Sequence, residues 1–237
     1  RTGERQFFWL FDILVYPFSG TGLVTLAVII GYPLLTTLLA AILPMIPPPA
    51  GLASLFISFV LTLYFGWYLA ECVYDSAKGG TRAPDIFDAD TSIGALWSTV
   101  SYLLAVYIVY VLPVVVYATI THRIDAIFCA LAIWAALLFP MGLLAMVMHD
   151  SVSVLNPFFL LGSIFRVFLP YLGLVVCLIG MACLLVLLPA MMVPAAPGAA
   201  LALDLATLVT GVYGSFLFAH VLGRFYWRYR DRLDWGI

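Results

Sequence analysis

Titratable side chains are scarce in this chain, and four of them stand in two pairs at helical spacing: Glu71 with Asp75, and His220 with Arg224. Residues four apart share one face of a helix. Two carboxylates on one face and two nitrogen bases on another suit ion pairing, proton handling or gating, and in a membrane such groups are the first functional candidates. A carboxylate just inside an apolar boundary is poorly solvated and gains from a nearby cation, and Arg is the better partner because its planar fork holds both oxygens. We therefore expect Glu71 or Asp75 to pair with Arg224 or His220, as a structural pin or a gate. Asp125, Asp204 and the His149-Asp150 pair also sit near the ends of apolar runs. There snorkelling and water satisfy them, and boundary-setting is role enough. Asp125 and Asp204 stand where helices should begin, so they complement the helix dipole without further function.

Signatures of catalysis are absent. The sequence has no HExxH and no GxSxG, and its three histidines, His122, His149 and His220, have no His partner three or four residues on. Only His149 and His220 should share a depth, which leaves haem ligation as the one cofactor arrangement open, and no cofactor is expected. Cys72, Cys129, Cys177 and Cys183 form no CxxC pair and lie in apolar runs, as small packing residues do. Lys78-Gly79-Gly80-Thr81 follows a helical pattern rather than a strand, which is the wrong context for a phosphate loop. No catalytic, cofactor-binding or metal-binding residue is expected, and the chain is read as not an enzyme.

The elements that would position these groups are set by composition. Of the 237 residues 65% are hydrophobic and 9% charged, against roughly 25% charged in a soluble domain. Such a chain cannot cover an aqueous surface, and a net charge of -2 offers no field for nucleic acid. Segments 13–70, 91–122, 126–149, 167–203 and 205–223 carry no Asp, Glu, Lys or Arg. A helix needs about 20 apolar residues to cross a bilayer core, and in lipid the backbone must satisfy itself. The alternation of barrel strands is missing. The fold class is all-α: a polytopic membrane protein forming one transmembrane domain over 1–237.

Prolines, glycines and charges divide the runs into six spans, near 21–43, 51–74, 93–117, 125–148, 168–188 and 201–226. Two aromatic-rich segments, 6–18 and 156–165, should lie at the interface, the second opening on Asn156-Pro157. Six spans put nine of the 10 Lys+Arg on one face, leaving Arg123 alone opposite. Positive residues favour the cytoplasm, so both termini should be cytoplasmic. A weak parallel repeat relates 6–74 to 156–226, with spans 93–117 and 125–148 inserted. The chain begins at Arg1 rather than Met, so residue 1 is not expected to be the initiator, and no cleavable signal is read. Pro33, Pro113, Pro140 and Pro170 should kink spans, and glycines such as Gly173, Gly180, Gly211 and Gly214 allow close helix packing.

The stretch Gly66-Trp67-Tyr68, Glu71, Asp75-Ser76-Ala77-Lys78-Gly79, Pro84, Gly94 and Trp97 resembles a pattern in a group of bacterial polytopic membrane proteins without assigned chemistry. The pattern is a Gly-aromatic helix end, a glycine turn, a Pro-acidic loop and another span. The stretch 150–166 and the tail Gly223-Arg224-Phe225-Tyr226-Trp227-Arg228 are similar to the same group. That group in turn resembles the membrane domains linked to glycerophosphodiesterases. The resemblance implies a bacterial inner-membrane protein and brings no catalytic residue. The leading expectation is a non-catalytic membrane subunit or scaffold that packs against other membrane proteins and lipids, not nucleic acid. The alternative is a small transporter or channel for a lipid or weakly polar solute.

Overall fold

The computed structural model describes residues 13–18, 20–42, 48–84, 93–191 and 199–235. The first part of the aromatic segment (6–12), the acidic loop with Asp85, Asp88 and Asp90, and the turn at 192–198 lie outside them. Every regular element is helical, and no strand occurs among the described residues. After a 3-10 turn, Tyr16–Phe18, come α1 (Gly20–Ile42) and α2 (Pro48–Ala77). A single rod follows: α3 (Ile93–Val106), a π turn (Tyr107–Val111) and α4 (Leu112–Thr121). Then come α5 (Ala126–His149), the short α6 (Pro157–Arg166), α7 (Phe168–Met191) and α8 (Ala199–Leu233).

Five stretches are long and apolar enough to cross a membrane: Leu55–Ala77, Leu96–Thr121, Ala126–His149, Phe168–Leu185 and Leu203–Leu233. Only 11% of the Leu96–Thr121 window and 39% of the Leu203–Leu233 window are buried in the protein, although both are apolar. Their outward faces therefore suit hydrocarbon rather than water, as do exposed Phe56, Phe59, Ile133, Val176 and Leu184 on neighbouring spans. The chain is a multi-pass, all-helical membrane protein. The described apolar part of α1, Gly22–Leu35, is shorter than a span.

Local chemistry explains most boundaries. Pro48 and Pro49 were expected to precede the second span; instead they open α2, in the first turn, where a missing N–H breaks no helical bond. The other end of α2 is a Schellman cap: Gly80 N donates to Asp75 O (2.9 Å) and Gly79 N to Ser76 O (3.1 Å). Gly79 takes a positive φ of 96° there, and the Trp227 ring lies where a Cβ would point. Asp125 caps α5, accepting from Phe128 N and from the Tyr117 hydroxyl, as its place at a helix start implied. First the Tyr117 bond and then the Phe128 amide hold its carboxyl below the usual carboxylate range. Asn156 caps α6 with Pro157 at the first helical position, also as read from sequence.

Two prolines act in different ways. Ahead of Pro113 the rod widens into the π turn, which turns Tyr110 inward to donate to Leu155 O at 2.7 Å. Gly142 on α5 makes room for that ring. At Pro140 the α5 ladder opens and Tyr171 of α7 enters it. Its hydroxyl donates to Leu137 O (2.6 Å) and accepts from Met141 N (3.2 Å). The last span, expected to end near 226, continues as helix through the basic tail to Leu233. Arg166 caps that end at Leu233 O (2.7 Å), and Trp235 Nε1 donates to Ser163 Oγ (3.0 Å), so α8 finishes docked on α6.

Candidate functional site

The four sequence-selected residues lie on the last turns of α2 and the facing stretch of α8, with Asp75, His220 and Arg224 near the contact between the helices and Glu71 on another side of α2. Gly223 lets the two helices meet, since a Cβ there would run into the Val73 carbonyl and Ser76. His220 is buried, with Nδ1 2.8 Å from Ser76 Oγ on α2. The Tyr16 ring stacks on the imidazole, with centroids 4.0 Å apart. Ser76 donates to the Tyr16 hydroxyl, which donates to Cys72 O. Ser76 Oγ and His220 Nδ1 share one hydrogen bond, whose donor is set by the imidazole tautomer. The buried row is a packing lock between the segment before α1, α2 and α8. Burial, first of all, pushes the Tyr16 phenol well above its ordinary value, so it remains a donor.

Arg224, one turn on, donates to Gly79 O at 3.3 Å, a cation set against the carbonyl end of α2. The Asp75 carboxylate folds back against Gly80 in the same turn. Glu71 takes the other side of α2. It makes no hydrogen bond or ion pair among the described residues, and it lines a space between α2, α3 and α5.

That space is a polar vestibule of about 290 Å3, walled by Glu71, Trp67 and Tyr74 of α2, Ser98 and Tyr102 of α3, and Asp150 at the end of α5. Lys78 stands beside it with Nζ 3.9 Å from the Tyr74 ring centre. Asp150 holds its position as the left-handed residue that ends α5, φ 51°, with its N–H on Met146 O. Next to the vestibule is an apolar chamber of about 430 Å3, open on one side, between α2, α3, α5, α7 and α8, lined by Leu69, Leu103, Phe139, Met181, Leu185 and Phe218 among others. Gly211 and Gly214 of α8 keep part of its wall thin, and Tyr107 of the π turn lines another part. Ala70 and Leu103 belong to both walls, so the two spaces adjoin. Ser76 and His220 line neither.

Sequence reasoning missed Tyr16, Ser76 and the chamber. One signal was present for the vestibule: Ser98 and Tyr102 are four apart on one apolar span, as Trp67 and Glu71 are on another. No protein-family model matches the chain, and no curated protein or solved structure is significantly similar to it.

Proposed function

We propose that this chain is a non-catalytic, six-span protein of the bacterial inner membrane, with both termini cytoplasmic, that takes a lipid-like or other weakly polar molecule into its apolar chamber. The chamber carries this reading. Pockets of a few hundred Å3 with apolar walls and a few polar groups are the usual form of a small-molecule site, and this one adjoins a polar vestibule at the Lys78 end. Kinship with the bacterial polytopic group belongs to the same proposal.

The expectation of a membrane subunit or scaffold has its own support. Gly173 and Gly180, seven apart on α7, are outward, with no atom within 4 Å of the place a Cβ would take. They leave a smooth strip on which a partner helix can lie. One binding measurement separates the readings. The protein, purified in maltoside micelles, is titrated with radiolabelled octadecanol. Gly211→Phe projects a ring into the chamber from a position with open space around its Cβ. Saturable binding in the native chain that disappears in Gly211→Phe supports the chamber reading. Equal binding by both proteins, or a stoichiometric partner chain with no bound alcohol, overturns it.

A further inference from the structure

We propose that the vestibule selects the headgroup: the molecule held in the chamber is a long-chain amphiphile with an ammonium head. This inference rests on the chamber reading above and adds to it the class of ligand. Hydrocarbon gains little by moving from lipid tails into an equally apolar protein space. Selection must come from the polar end, and the polar end is acidic and aromatic. Glu71 and Asp150 present two carboxylates to one small space, and neither has an ion-pair partner among the described residues. Glu71, half-buried on α2, is the one at the edge of a low-dielectric region and is stabilised by an incoming cation, while Asp150 is exposed and adds its charge at the mouth. Trp67, Tyr74 and Tyr102 add aromatic side chains to the lining, and aromatic rings attract ammonium groups.

The protein already displays this preference, because Lys78 rests its own ammonium on the Tyr74 ring at the rim. Even with Lys78 counted, the two carboxylates leave the space net negative, so a sulfate or phosphate monoester head is disfavoured. An ammonium placed between Glu71 and Asp150 stands next to Ala70 and Leu103, the residues common to both linings, and in the proposed pose its chain runs past them into the chamber. The amphiphile arrives from the leaflet at the Lys78 end of the bundle.

The test compares heads on one chain length. The full chain in maltoside micelles at neutral pH is titrated with octadecylamine, octadecanol and octadecyl sulfate, each against Gly211→Phe as the blank. The amine should bind about tenfold more tightly than the alcohol, the size of one charge-assisted contact, and the sulfate more weakly than either. Glu71→Gln combined with Asp150→Asn should bring the amine down to the alcohol while leaving the alcohol unchanged. An amine no tighter than the alcohol in the native chain overturns the headgroup inference and leaves the chamber reading standing. Alcohol binding that Gly211→Phe does not remove overturns the chamber reading itself. The comparison of heads on the native chain decides even where the double variant fails to fold.

Discussion

Pro140 removes a backbone donor from the middle of α5, where lipid and packed side chains offer no water to replace it. The repair comes from one hydroxyl on another helix. Tyr171 is buried, and its oxygen stands between Leu137 O and Met141 N, the two groups that an uninterrupted helix would have joined. Tyr171→Phe keeps the ring and deletes both bonds, the one to the partly buried Leu137 carbonyl and the one from the buried Met141 amide. We expect a loss of about 1–3 kcal/mol, the cost of stranding such groups, read as a lower thermal midpoint in maltoside. Tyr107→Phe is the comparison, since its hydroxyl makes no hydrogen bond among the described residues. If both variants unfold at the native temperature, Tyr171 does not clip the kink.

Packing of α2 against α8 depends on a side chain that is not there. A methyl group on Gly223 would overlap the Val73 carbonyl and Ser76 Cβ, and these are backbone-held atoms that cannot swing aside. Gly223→Ala should force the helices apart and cost about 1–3 kcal/mol, the range for overpacking a close contact. Gly173→Ala meets nothing and should be neutral or slightly stabilising, because alanine is the better helix former. Equal stability of the two variants would show that α2 and α8 do not approach so closely in the folded protein.

The same pair of helices shows what was legible in the sequence. Charge-free runs located the helices, because in lipid an apolar stretch has few other ways to satisfy its backbone. Asn156-Pro157 and Asp125 marked helix starts, because capping is local chemistry. The π turn before Pro113 and the helical tail to Leu233 were not legible, since contacts with other helices decide them. In the site, charge drew attention to Glu71, Asp75, His220 and Arg224. Neutral groups take part there as well: Ser76 bonds His220 and the Gly79 carbonyl accepts from Arg224. The chamber is formed by uncharged residues from five helices, so no local pattern announces it.

For the whole molecule, the course of α1 decides the topology. The segment just before it is held at the Lys78 end, because Tyr16 lies on His220 and bonds within the last turns of α2. From there α1 runs for 23 residues, about 35 Å at the helical rise and enough to reach the opposite face. The proposed six-span order needs α1 to cross as well, and the shared side of both termini and the parallel repeat of 6–74 with 156–226 depend on that crossing. Single cysteines report the sides directly, once the four native cysteines are replaced by alanine. An impermeant thiol reagent applied outside intact cells should label Pro47→Cys and Pro194→Cys. It should leave Ser19→Cys, Thr81→Cys and Ile237→Cys unlabelled until the membrane is opened. In a five-span arrangement α1 turns back on the outer side, and Ser19→Cys then reacts together with Pro47→Cys while Ile237→Cys stays protected. That single change would move the N-terminus outside, away from the positive face, and would remove the six-span order and the repeat together.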